Sequence, residues 1–100
     1  MRNHPCPAKR MYFKNEPETE VYMIQMCAPI GPVKIGIAKD VKSRMATLQT
    51  GSPYVLTLLC CWPGDAEEEY RIQRFFKDYR MEGEWFHPCA GILKFVEVAK

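Results

Sequence analysis

The sequence has no apolar run near the roughly 18–20 residues that cross a bilayer, and its first residues lack the apolar stretch of a secretory signal. A soluble, cytoplasmic protein with no membrane partner is therefore expected. It also lacks a CxxC pair, and its five cysteines (Cys6, Cys27, Cys60, Cys61 and Cys89) are odd in number. Neither a disulfide framework nor a standard zinc knuckle is signalled, and free, mostly buried thiols are the plain expectation. A large charge excess is missing too: 14 basic residues stand against 12 acidic ones, a formal net charge of +2. Proteins that coat nucleic acid carry far more, so any phosphate binding must come from a local patch. No Gly-rich phosphate loop, HExxH helix or Ser/His/Asp arrangement suggests a chemistry by itself.

What is present is apolar content of 47% in 100 residues, enough for one domain with one core and too little for two. Residues 1–19 are polar, carry Pro5, Pro7 and Pro17 and show no sustained period, so they read as an N-terminal arm ahead of a single domain over residues 20–100. The tripeptides His4-Pro5-Cys6 and His87-Pro88-Cys89 repeat near opposite ends of the chain. Together they offer two His and two Cys to a tetrahedral zinc, with coincidence in proline-rich loops as the alternative.

Val21–Met26 and Val33–Ala38 have the β-branched and aromatic content of strands, and the turn chemistry of Cys27-Ala28-Pro29-Ile30-Gly31-Pro32 between them predicts an antiparallel hairpin. Gly36 leaves room on one face of the second strand for a neighbouring backbone or ligand. Asp40 is a good N-cap for a helix from Val41 to about Thr50, with Gly51 suited to a left-handed C-terminal position and Pro53 preventing resumption. Tyr54–Trp62 is a near-continuous apolar run, which reads as a central strand covered on both faces. Asp65 and Glu68 form a capping-box-like start to a second helix that ends before Gly83. After the short aromatic segment Glu84-Trp85-Phe86, residues Ala90–Ala99 read as a last helix. The expected fold is α+β: a three-stranded antiparallel sheet flanked by helices, in the order strand, strand, helix, strand, helix, helix.

Two charges fall where apolar residues belong. Arg44 lies along the Val41, Met45 and Leu48 stripe of the first helix, and Glu69 lies among Ala66, Ile72, Phe76 and Tyr79 of the second. A charge on a buried face is costly unless paired or metal-bound. Glu69 and Gln73, four apart, point the same way. With Tyr22 and Lys34 on neighbouring strands, these residues suit a cleft that holds a divalent cation against a phosphate, the phenol placed to accept a proton from water. The plainer alternative is an internal Arg44–Glu69 salt bridge with Tyr22 as an ordinary strand aromatic.

Val21-Tyr22-Met23-Ile24, Val33-Lys34-Ile35-Gly36, Lys39-Asp40 with Arg44, Leu48-Gln49-Thr50-Gly51, and Glu69 ahead of Gly83-Glu84-Trp85-Phe86 resemble the GIY-YIG nuclease superfamily, in its phage-type branch that reads VKIG in place of YIG. The resemblance covers residues 21–88. It implies a metal-dependent endonuclease that hydrolyses phosphodiester bonds in DNA with one Mg2+ or Mn2+. Tyr22 matches the tyrosine proposed as general base, Arg44 the arginine on the scissile phosphate, and Glu69 the single metal-binding carboxylate. Lys34 replaces the superfamily's second tyrosine, where an ammonium lowers the pKa of Tyr22 or binds phosphate. Gln73 stands where related sequences often have histidine, and glutamine transfers no proton at neutral pH. The alternative is therefore a catalytically impaired module that binds nucleic acid or a protein partner. Lys9, Arg10 and Lys14 of the arm are too few to specify a DNA sequence, so non-specific or structure-selective DNA binding, or a protein partner that supplies specificity, is expected.

Overall fold

The computed structural model describes residues 17–99. The arm residues His4, Cys6, Lys9, Arg10 and Lys14 lie outside the described residues, and with them half of the proposed zinc set. Four strands and three helices follow one another: β1 (Glu20–Met26), β2 (Val33–Ala38), α1 (Val41–Thr50), β3 (Leu56–Pro63), α2 (Ala66–Phe75), β4 (Trp85–Phe86) and α3 (Ala90–Ala99). The sheet is antiparallel in the order β3-β1-β2-β4. It has one strand more than the sequence suggested, because β4 is only two residues long and too short to show an alternating pattern. No helix among the described residues is long and apolar enough to cross a membrane.

The hairpin forms as expected, with Tyr22 opposite Gly36 and Ile24 opposite Lys34. Its turn is tied from inside the fold. The buried Gln25 amide donates to the carbonyls of Pro29 (3.0 Å) and Gly31 (2.8 Å), which satisfies a polar group that would otherwise be costly to bury.

The two faces of the sheet are covered by different helices. Val21, Met23, Val33 and Ile35 pack with Trp62, Ile72, Phe76, Phe86, Ile92 and Val96, under α2 and α3. On the opposite face Tyr22, Ile24 and Ala38 pack with Val41 and Leu56, under α1.

β3 is an edge strand, not a central one. Opposite it, Met23 pairs with Cys60 and Ile24 with Leu58, so Leu59 is an extra residue in a bulge. Leu56 and Cys61 lie on the α1 side, whereas Leu59 and Cys60 both pack on the α2/α3 side. A bulge reverses the facing of every residue beyond it. The strand therefore looks continuously apolar because its inward face switches midway, while Thr57 and Leu58 stay exposed.

Both predicted N-caps form: Asp40 accepts from Ser43 N at 3.1 Å and Asp65 from Glu68 N at 3.0 Å. Gly51 is not left-handed, having φ −89°, and Ser52 N closes the helix end by donating to Gln49 O at 3.1 Å. α2 stops at Phe75, earlier than its sequence pattern suggested, and a single 3-10 turn over Lys77–Tyr79 follows. Tyr79 is consequently exposed, and Ala66, at the start of α2, is exposed as well.

Candidate functional site

The site is assembled along the outer edge of β2. In antiparallel pairing the N–H and C=O of alternate residues point to the same side. Val33, Ile35 and Ile37 present theirs away from β1, and β4 covers only Val33 and Lys34. Three of the remaining edge groups are taken up by residues from three other segments. Ile35 N donates to Glu84 O at 3.0 Å, Ile35 O accepts from Gln73 Nε2 at 2.8 Å, and Ile37 O accepts from Arg44 Nη1 at 3.3 Å. An open strand edge is thereby closed without another strand, and the loop before β4, α2 and α1 are each anchored to it beside one another.

Tyr22, on β1, reaches across to this edge over Gly36. A Cβ on Gly36 would stand 2.6 Å from the Tyr22 hydroxyl and 3.1 Å from Glu84 Oε1. The room that glycine leaves is thus occupied by the chain's own phenol. The Tyr22 hydroxyl is buried and has no hydrogen-bond partner among the described residues. Burial holds its pKa above the ordinary 10.0, and the charges of Glu84 and Glu69 push the same way. Arg44 opposes them, although the hydrogen bond its guanidinium completes goes to Ile37 O.

Glu69 is half-buried. Its pKa is raised from 4.5 to about 7, first by burial, then by the hydrogen-bonding reach and negative charge of Glu84, against the pull of the Lys34 ammonium. Lys34 Nζ lies 3.2 Å from Glu84 Oε1 and 5.5 Å from the centre of the Trp85 ring. Two carboxylates, two cations and a phenol therefore share one rim. Hard oxygen donors forced together in this way suit Mg2+ or Mn2+, which takes a few carboxylates and fills its remaining positions with water or phosphate. Among the described residues no group of three or more His, Cys, Asp or Glu side chains forms a fuller metal cage.

A family model for the T5orf172 domain matches residues 10–99. The chain belongs to the T5orf172 domain family. This domain is found in phage-type and other endonuclease-like proteins. No curated protein and no solved structure matches the chain.

Within this T5orf172 domain, the five residues singled out from the sequence are all at or beside the β2 edge, but two are placed differently from expectation. Arg44 is exposed instead of lying along a core stripe. α1 covers the sheet through Val41, Met45 and Leu48, and Arg44 flanks that contact, where its guanidinium reaches both the strand edge and solvent. The deeply buried carboxylate of α2 is Glu68, at 8% exposure, rather than Glu69. Glu68 accepts from Trp62 Nε1 at 3.0 Å and pairs with Arg71 at 3.0 Å. No ion pair joins Arg44 to Glu69 among the described residues. Gln73 directs its amide to the β2 backbone and so fixes the angle of α2 one turn beyond Glu69.

Glu84 is the residue that sequence reasoning missed. It lies inside the Gly83-Glu84-Trp85-Phe86 motif, and nothing in its local pattern indicates a carboxylate facing Glu69. The only available signal was an acidic residue one position before a strand edge.

Proposed function

We propose that this domain hydrolyses phosphodiester bonds in DNA by GIY-YIG-type chemistry, with a divalent cation held by Glu69 and Glu84. The observation that carries the reading is the meeting of these two carboxylates with the unpartnered buried hydroxyl of Tyr22 at a rim that also bears Arg44 and Lys34. When bound, Mg2+ or Mn2+ supplies a Lewis acid that polarises the phosphate and makes a coordinated water more acidic.

The chain's own residues supply the rest. Burial holds the Tyr22 hydroxyl protonated and Arg44 pulls the other way, toward the phenolate. Once its own proton has passed to solvent, the Tyr22 phenolate oxygen takes one from the attacking water. Arg44, exposed at the rim, stabilises the charge that builds on the phosphate oxygens, and Lys34 adds a second cation from the strand. Gln73 keeps α2, and with it Glu69, at the correct distance from β2 and handles no proton.

The reading is tested by nicking of supercoiled plasmid. Cleavage is expected with Mg2+ or Mn2+, none with EDTA, and none in Glu69→Ala or Tyr22→Phe. A folded wild type that cuts no duplex, branched or single-stranded DNA with either metal sinks it. A second reading, a module that binds nucleic acid or a protein partner without turnover, draws on the raised pKa of Tyr22 and on the absence of a proton-transferring group at Gln73. Salt-dependent DNA binding without cleavage would mark that outcome.

A further inference from the structure

Beside the catalytic rim, on the far side of Lys34, a cleft of about 320 Å3 opens between the end of α1, the loop after it and the β2–β4 pair. Its walls include Met26, Lys34, Leu48, Ser52, Tyr54 and Trp85. We propose that this cleft receives an unstacked nucleobase of the DNA strand whose neighbouring phosphate lies at the rim. The inference rests on the phosphodiesterase reading above and names its substrate as DNA with an unpaired nucleotide at the cut.

Three observations favour a base over another occupant. The cleft is of ligand size, near the lower end of the roughly 300–1,000 Å3 typical of small-molecule sites. Two of its walls are aromatic: Trp85 is half-buried and Tyr54 is 53% exposed, so both keep ring surface free for a base to stack on. The third observation is continuity. Lys34 is the wall shared by cleft and rim, its ammonium held between Glu84 and the Trp85 ring, so a phosphate at Lys34 carries its sugar and base toward the cleft. A base stacked in duplex DNA cannot enter such a space without leaving the stack.

The polar groups in and behind the wall also define what the cleft does not read. The Ser52 hydroxyl donates to Tyr54 O at 3.0 Å and accepts from Tyr54 N at 3.1 Å. The Gln49 amide bridges Tyr54 O and Leu56 N, both at 2.9 Å. These groups hold the loop in shape and leave little with which to read a base edge. Recognition is by stacking, which every base satisfies.

The test is fluorescence anisotropy with the full chain in EDTA at one fixed salt concentration, using a labelled mixed-sequence single strand and its fully paired duplex. The single strand is expected to bind about tenfold more tightly and to quench Trp85 emission, Trp62 being fully buried. Tyr54→Ala is expected to remove that advantage, a loss of about tenfold in single-strand affinity, within the range of one base–aromatic stack. Tyr54→Phe should keep it, and neither variant should alter duplex binding. Equal binding of both forms, or an unchanged preference in Tyr54→Ala, overturns the cleft and leaves the nuclease reading intact. A Tyr54-dependent preference without metal-dependent nicking upholds the cleft and overturns the nuclease reading. No binding of either form overturns the cleft, and the plasmid assay then decides the nuclease reading separately.

Discussion

The hydroxyl of Tyr22 occupies the space directly above its cross-strand partner Gly36, where a Cβ would lie only 2.6 Å from the oxygen. The phenol ring is rigid and fully buried, so it has no easy way to give. Gly36→Ala should displace Tyr22, cost about 1–3 kcal/mol in chemical denaturation and abolish nicking together with the Tyr22→Phe variant. An active, fully stable Gly36→Ala protein would contradict the placement of the ring.

Tyr22→Phe should separate stability from function. It removes a buried hydroxyl that has no partner among the described residues, so the variant should be more stable than wild type by about 1 kcal/mol while losing cleavage. A measurable loss of stability in urea denaturation would mean that the hydroxyl is satisfied in solution.

Glu69 should make the metal-free protein less stable as pH rises. Its folded pKa, about 7, lies above the ordinary 4.5, so between these values the native state binds more protons than the unfolded one. The stability this group contributes is complete below about pH 4.5 and is lost as pH passes through about 7. In EDTA, the melting temperature of Glu69→Gln relative to wild type should therefore climb from pH 5 to pH 7.5 and then level off. At pH 8, Mg2+ should raise the melting temperature of wild type but not of Glu69→Gln. A flat difference across the range would refute the raised pKa of Glu69.

Glu68 and Glu69 should behave oppositely although they are neighbours. Glu68→Ala strands Trp62 Nε1 inside the core and frees Arg71, at a cost of about 2–3 kcal/mol, yet well below its melting temperature the variant should still nick DNA. Loss of cleavage in a folded Glu68→Ala protein would place that carboxylate in the reaction.

Gln73→Leu should leave Ile35 O at the β2 edge without its 2.8 Å donor, lowering stability by about 1 kcal/mol and slowing cleavage through the displaced α2. Unchanged stability would show that the amide does not anchor the helix.

The starts of the first two helices, the hairpin turn and the last helix were legible in the chain because they depend on neighbours in sequence. Asp40 and Asp65 cap the helices that follow them, the Cys27–Pro32 turn sets the hairpin, and the tail from Ala90 to Ala99 forms its helix. Tyr22, Lys34, Arg44 and Glu69 stand out in the chain as polar residues within those elements, but their gathering at the β2 edge is visible only in the tertiary structure.

Tertiary structure alone decided which of two adjacent glutamates is buried. Successive helical positions differ by about 100° in direction, a difference that only the docking angle of α2 on the sheet resolves. The bulge at Leu59 has the same character, since only the partner strand shows that one residue is unpaired and that β3 is an edge. Glu84 joins Glu69 because the loop before β4 closes on Ile35 N. By itself the sequence determined the local elements and the chemical inventory. The placement of Glu84 against Glu69, of Gln73 and Arg44 on the β2 edge, and of Tyr54 and Trp85 on one cleft was decided by contacts between segments distant in the chain, which no local pattern records.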